Sequence, residues 1–594
     1  MSTRSIRIGG ASGFWGDAAH STAQLLGDEG LDYLVYDYLA EITMSIMARA
    51  RLADADRGYA PDFVNDAMAK NMAEIARRGI KVLSNAGGVN PRACAEALRG
   101  LLDKAGIDLK VAVVEGDDML ARIDDFAAER EMFSGAAMPA RDSIVSANAY
   151  LGAFPVAEAL AAGADIVVTG RCADSALALA AAIHAFGWSR ADHDLLACGS
   201  LAGHLIECGP QSTGGNFTDW RLAGDLARIG YPIAEVAADG AITITRPAGT
   251  AGVVSPASVG EQMLYEIGDP RAYVLPDVVC DFSAVALEQA GPEHVRLTGA
   301  TGRAPSGKYK VSLTYQHGYR VGHLFQMNGV GARVKAEAFV RIGLDRARAK
   351  LADMGVPDFS EVSIECFGGR PGAGDYEEIT VKIAARHDDA RALGLLLKEE
   401  IGAALATPPG LHFFTGAGRP KPSPVVRLFS FLAPAEDLPV TYRLDGQPPV
   451  AVAPPVGGMD EMPVSEAPPA PVGDGERIAC RLEDVAWARS GDKGDGANIG
   501  VIARLPALLP WIWQAIDEAC VRRVFADTLK GEVRRFPLPG SHAMNILMTD
   551  VLGGGGMASI LNDPQGKSFA QRLLDVKIEV PAKLVAEVRE ANDR

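Results

Sequence analysis

The stretch SIRIGGASGFWGD, residues 5–17, decides how the chain begins. Residues 5–8 read as a short strand, and Gly10, Gly13 and Gly16 follow at the spacing G-x-x-G-x-x-G. After a strand, such glycines let backbone N–H groups approach a phosphate at the N-terminus of the next helix, here residues 20–29. Asp37 then ends a second strand, 34–36, where a ribose-binding acid would sit. Two features weigh against a dinucleotide at this turn. Trp15 is bulky beside a pyrophosphate path, and Asp17 would repel phosphate where the helix should attract it.

The alternation continues outward from this turn. Further strands are expected at 80–83, 109–114 and 165–168, with a helix opened by Pro91 and an alanine-rich helix over 174–186. This predicts an α/β fold, a Rossmann-like parallel sheet with helices on both faces over residues 1–240. The texture changes after Gly240. Strands at 242–245, 309–314, 362–366 and 379–384, with helices at 339–354 and 388–405, predict an α+β region over 241–432. Residues 433–475 carry PPVAVAPPVGG and SEAPPAPVGDG and read as a proline-rich linker. Residues 476–594 read as a small ferredoxin-like α/β domain.

Composition narrows the function classes. The 594 residues include 58 basic and 75 acidic side chains, a formal charge of -17, and no long basic run, which argues against a nucleic-acid partner. No apolar run reaches the roughly 20 residues of a spanning helix, and no signal peptide is visible, so no membrane and a cytoplasmic location are expected. Eight scattered cysteines contain no Cys-x-x-Cys pair, which fits ordinary buried thiols in a reducing compartment.

Four stretches can carry chemistry. The glycine turn offers Gly10, Ser12, Gly13 and Trp15 to a ligand. The strand exits add Asp37, Asn85, Asn90, Asp117, Arg171 and Asp174 along one rim, where ligands of open parallel sheets bind. Among them Asn85, Gly87, Gly88 and Asn90 make a candidate oxyanion or phosphate cradle before the proline-started helix. In the third stretch His204 is a candidate acid–base residue beside Glu207. His204 and Cys208 stand four apart, but two ligands do not make a metal site, and none is predicted. The fourth, residues 488–500, places Arg489, Ser490 and Lys493 among glycines as an anion-binding nest, with a charged β-hairpin as the alternative. Lys493 lacks the Ser or Thr spacing of a Walker loop. The run Gly553 to Gly556 reads as a flexible turn.

The strings GASGFWGD (10–17), LVYDYLAE (34–41), NAGGVN (85–90) and TGRCADS (169–175) resemble the acyclic terpene utilisation (AtuA) family. Residues 488–500 resemble that family's C-terminal ferredoxin-fold domain. The resemblance implies catabolism of acyclic terpenoids such as citronellol and geraniol, through acyl-CoA thioesters. The expectation is a homo-oligomeric enzyme, a hydro-lyase or carbon–carbon lyase acting on an acyl-CoA. It needs no cofactor beyond the coenzyme A of its substrate. Asp37, Glu41, His204 and Glu207 are the expected acid–base groups, residues 85–90 the N–H donors, and Lys493 and Arg489 the phosphate contacts. A nicotinamide-dependent oxidoreductase and a non-enzymatic scaffold for pathway enzymes are the two competing readings.

Overall fold

Strand β1 (Ser5–Gly10) sits inside a sheet rather than at its edge. The computed structural model describes residues 4–17, 19–369, 376–413, 418–458, 467–472 and 475–592. After β1 come β2 (Tyr33–Tyr36), β3 (Lys81–Ser84), β4 (Val111–Glu115) and β5 (Ile166–Thr169), which run parallel in the order β1-β2-β3-β5-β4. Each of β2 and β5 is buried along its whole length, as expected of strands covered on both faces. Leu34, Tyr36, Val82, Val113 and Val168 pack into one core with helices Glu41–Ala53, Ala69–Arg78 and Pro91–Ala105. Helices Ala176–Phe186 and His193–Ile206 pack together, and the former also packs on β1 and β2. The fold is therefore mixed α/β with a parallel centre.

Antiparallel strands extend this centre on both sides. β6 (Ile233–Ala237) pairs β1, and β7 (Ile242–Thr245) continues from it. The hairpin β8 (Ala286–Gly291) and β9 (His294–Thr298) follows. The sheet thus continues across position 240, where the sequence places a domain boundary. On the far side β10 (Thr441–Leu444) covers β4, and β11 (Val450–Ala451) covers β10. These two lie inside the proline-rich stretch expected to be a linker, and there it is part of the sheet instead. Proline content marks an extended chain, and an extended chain with Thr441, Tyr442 and Leu444 can pair an exposed sheet edge. Residues 459–466 and 473–474 of that stretch lie outside the described residues.

The chain forms two compact units. One comprises Met1–Thr314, Leu428–Val551 and Gly566–Arg594, and contains the sheet just described. It also contains a four-stranded antiparallel sheet near the C-terminus, ordered Ala486–Lys493, Gly496–Ala503, Ala543–Met548, Val533–Leu538. The other unit comprises Tyr315–Arg427 and Leu552–Gln565. In it Tyr376–His387 pairs residues 319–330 and Glu361–Gly368. Phe325, Val381 and Ile383 pack there against Phe339 and Leu393 of helices Ala332–Asp353 and Ala390–Gly402. The run Gly553 to Gly556 is not idle in that unit, because the Gly553 carbonyl accepts from Arg386 at 3.0 Å. The eight cysteines are free thiols.

Candidate functional site

Three carboxyl side chains and one guanidinium meet beneath the carboxyl ends of β1, β2, β3 and β5. Asp37 directly follows β2, Arg171 and Asp174 follow β5, and Glu207 caps the end of helix His193–Ile206. Asp37, Arg171, His204 and Glu207 are all less than a tenth exposed. The Asp37 carboxylate accepts from the Leu39 N–H at 3.3 Å and from the Asn85 amide in a short bond. Asn85 Oδ1 in turn accepts from Tyr38 N at 2.8 Å, so Asn85 fixes the chain that carries Asp37. Ser12 Oγ donates to the Asp37 carbonyl at 2.9 Å. Arg171 pairs with Asp174 at 2.7 Å, donates to the Leu39 carbonyl at 2.9 Å and lies 4.1 Å over the Tyr150 ring. Its own N–H is held by Asp117 at 2.8 Å.

A cavity of about 10 Å³ lies among these groups. Its polar lining is Ser12, Asp37, Asp174 and Glu207, and its apolar lining includes Val35, Leu177 and Ile206. That volume matches a single water-sized group.

Electrostatics favour protons on this cluster. Burial pushes the Asp37 carboxyl well above the usual carboxylate range. Asp174 and Glu207 push it further, while Arg171 and Asn85 pull the other way. Burial, Asp174 and Glu266 likewise raise Glu207, opposed by Lys493 and Arg171. His204 moves in the opposite direction, to about 4, because burial and the Lys493 ammonium both disfavour imidazolium.

Hydrogen-bond roles then locate one proton. His204 Nε2 lies 3.2 Å from the Met263 carbonyl, which can only accept, so Nε2 carries the hydrogen of the neutral ring. Nδ1 is left as an acceptor. Glu207 Oε1 lies 2.9 Å from Nδ1, so the contact is a bond only if Glu207 brings a proton. With the ring neutral, the state that burial and Lys493 favour, the pair is a carboxylic acid held by an imidazole. The other Glu207 oxygen, Oε2, is buried with no hydrogen-bond partner among the described residues.

Several expected ligand contacts have other partners. At the glycine turn, Gly10 N donates to Pro232 O, Ala11 N to Val35 O, and Gly13 N to the Asp17 carboxylate at 2.9 Å. An internal carboxylate thus sits where an anion was expected, and the next helix, Ser21–Leu25, starts only later. A Cβ on Gly10 would lie 2.9 Å from Ile206 Cβ, and one on Gly13 2.8 Å from the Cys208 carbonyl carbon. These glycines admit the end of helix His193–Ile206. Trp15 donates to Asp62 at 2.5 Å.

The 85–90 cradle closes on itself in the same way. Its N–H groups at Asn85, Ala86, Gly88, Val89 and Asn90 bond Tyr36 O, Ser84 Oγ, Asn85 O, Gly58 O and Gly87 O. Asn90 caps helix Pro91–Ala105 through Ala93 N. A Cβ on Gly87 would lie 2.6 Å from Pro91 Cβ, so Gly87 permits a close turn, and Gly88 has φ 54°.

Residues 488–500 form the hairpin alternative, with Arg489 opposite Gly500 and Lys493 opposite Gly496. Their N–H groups belong to a ladder, not a nest. Arg489 donates to the Gly215 and Asn216 carbonyls and lies over Tyr265, while Ser490 donates to the Gly566 carbonyl at 2.6 Å. Lys493 differs, since its ammonium is 5.7 Å from the Tyr273 ring, which itself lies 5.5 Å from His204. Glu41 begins helix Glu41–Ala53, and its side chain lies outside the described residues. No group of three or more His, Cys, Asp or Glu side chains among the described residues is arranged to hold a metal ion.

The family model of the acyclic terpene utilisation family protein AtuA matches residues 6–444. The chain belongs to the AtuA family. A second match, to the AtuA ferredoxin-like domain, spans residues 480–579 and covers the C-terminal antiparallel sheet. Comparison with the curated proteins and with the solved structures finds no match. In this AtuA-family chain Asp117, one of the strand-exit residues of the sequence reading, also shapes the site, as do Glu266, Tyr273 and Met263, which that reading does not single out. Tyr273 and Met263 lie in segments without motif character. Only Asp117, at the exit of β4, follows the strand-exit pattern that exposes Asp37 and Arg171.

Proposed function

We propose that this protein is an enzyme of acyclic terpenoid catabolism, a lyase that adds water to or removes it from an acyl-CoA, or cleaves a carbon–carbon bond in one. Membership of the AtuA family supports the metabolic setting. The observation that carries the chemistry is the 2.9 Å contact between buried Glu207 and His204 Nδ1, beside Asp37, Asp174 and a water-sized cavity, where burial favours the protonated carboxyl. Hydration of an α,β-unsaturated thioester needs these parts. A carboxylate, Asp174 beside Arg171, takes a proton from water as its oxygen bonds to the β-carbon. The C=C π pair moves to the α-carbon, where Glu207 delivers its proton. Water is consumed, and the proton that Asp174 gained replaces the one that Glu207 gave. The cavity accommodates the reacting water and not the acyl group.

Isothermal titration and thioester turnover with the full chain test this. Acyl-CoA is expected to bind, and Glu207→Gln to bind it comparably while losing about 10²- to 10⁴-fold in turnover. Absence of binding by coenzyme A and by every acyl-CoA tried would remove the reading.

A further inference from the structure

Segment 262–268 reaches the acid pair from one side and the C-terminal sheet from the other. Gln262 Nε2 donates to the His204 carbonyl at 3.0 Å, and the Met263 carbonyl accepts from His204 Nε2. The turn that follows is gripped by two fully buried asparagines of the C-terminal sheet, Asn498 on Gly496–Ala503 and Asn545 on Ala543–Met548. Asn498 Oδ1 accepts from Glu266 N at 2.9 Å, and its Nδ2 donates to Leu264 O at 2.7 Å and to Asn545 Oδ1 at 2.8 Å. Asn545 Nδ2 donates to Ile267 O at 2.7 Å and Gly268 O at 2.6 Å.

The grip has two marks of a built feature. Glu266 is held at φ 57°, a left-handed conformation that a residue with a Cβ adopts only when its surroundings impose it. Glycines let the strand backbones come close. A Cβ on Gly491 would lie 2.6 Å from Glu266 Cγ, and one on Gly500 would collide with Leu264. The Glu266 carboxylate is met by Lys567 at 3.0 Å, and Lys567 also bonds Tyr265 and, at 3.2 Å, Asp492.

We infer that the ferredoxin-like domain is a positioning element for the acid. Through Asn498 and Asn545 it fixes the 263–268 turn, so that Met263 sets the His204 tautomer and Glu266 is presented to the same pair. Asn498, Asn545 and Glu266 are positioning residues, and Lys567 is the counter-ion that keeps Glu266 in place. The inference rests on the acid role of Glu207 and adds what holds it.

Two spectroscopic readouts on the full chain test it without substrate. One is the ¹⁵N shift pattern of His204, which distinguishes the Nε2–H tautomer from its alternative. The other is the pH midpoint of the protonated-carboxyl C=O band that Glu207→Gln removes. Asn498→Ser is expected to keep a cooperative unfolding transition, to mix the His204 tautomers, and to move the Glu207 midpoint by about one pH unit or more, a tenfold change in its protonation equilibrium. Folded Asn498→Ser with both signals unchanged overturns the inference. Should Asn498→Ser not fold, Glu266→Gln decides. It keeps the backbone bond to Asn498, and its loss of a neighbouring negative charge is expected to lower the Glu207 midpoint with the tautomer intact. An unmoved midpoint overturns the inference there. If wild type shows no protonated Glu207 at neutral pH, the acid reading fails by itself, and the tautomer response to Asn498→Ser still decides the clamp.

Discussion

Asp37 and Glu207 are buried beside the Arg171 guanidinium, which pairs with the partly exposed Asp174. Removing one carboxyl should therefore be felt by the others. Asp37→Asn is expected to lower the pH at which Glu207 gives up its proton and to shift the pH–rate profile downward, as measured by turnover between pH 5 and 9. Arg171 has the opposite sign. Arg171→Met removes the cation paired with Asp174 and the donor to the buried Leu39 carbonyl, and is expected to destabilise by about 1–3 kcal/mol in urea unfolding. Asp37, Asn85 and Arg171 were legible in the sequence because each ends a strand of a parallel sheet. The Glu207–His204 pair's protonation was not, because it depends on burial and on the Met263 carbonyl, far along the chain, that meets the other imidazole nitrogen.

At the scale of elements, the glycine turn is a packing device. Gly13→Ala would press its Cβ onto the Cys208–Gly209 backbone, where no flexible side chain can give way. It is expected to cost about 1–3 kcal/mol, read as a lowered Tm, rather than to remove an anion site selectively. The ferredoxin-like sheet is tied on by a second device. Asp219 accepts from both terminal Arg504 guanidinium nitrogens at 2.8 Å and from the Trp487 indole at 2.6 Å. Burial alone would raise Asp219, yet these donors hold it below the usual carboxylate range. Asp219→Ala should lower the urea midpoint, with a cost of about 2 kcal/mol given the partial exposure of Asp219. The sequence does not show this tie, since it joins residues more than 260 positions apart.

The whole molecule stores unusual protonation in its interior. Burial raises Asp17 and Asp277 to about 6, Asp117 to about 7 and Glu261 to about 8. Groups raised on folding contribute stability that is complete below their unfolded pKa, near 4, and that is lost as pH rises through the folded values. His204, lowered to about 4, works in reverse and costs stability below about pH 6.5. Calorimetry should therefore show Tm highest near pH 4 to 5 and falling as pH rises to about 8. Glu261→Gln should flatten the upper part of that fall.

By itself the sequence determined the parallel centre, the rim of polar strand exits and the ferredoxin-like end, because period, glycine spacing and strand-exit chemistry are local properties. The family strings were legible for the same reason. The tertiary structure decided which N–H groups were already spent, and it turned the glycine turn and the 85–90 loop from anion cradles into closed packing turns. It also decided that part of the proline-rich stretch completes the sheet and that Lys493 approaches His204 and Glu207. These outcomes depend on partners brought together across hundreds of residues, and on burial, which sets charge states only once the chain has closed around them.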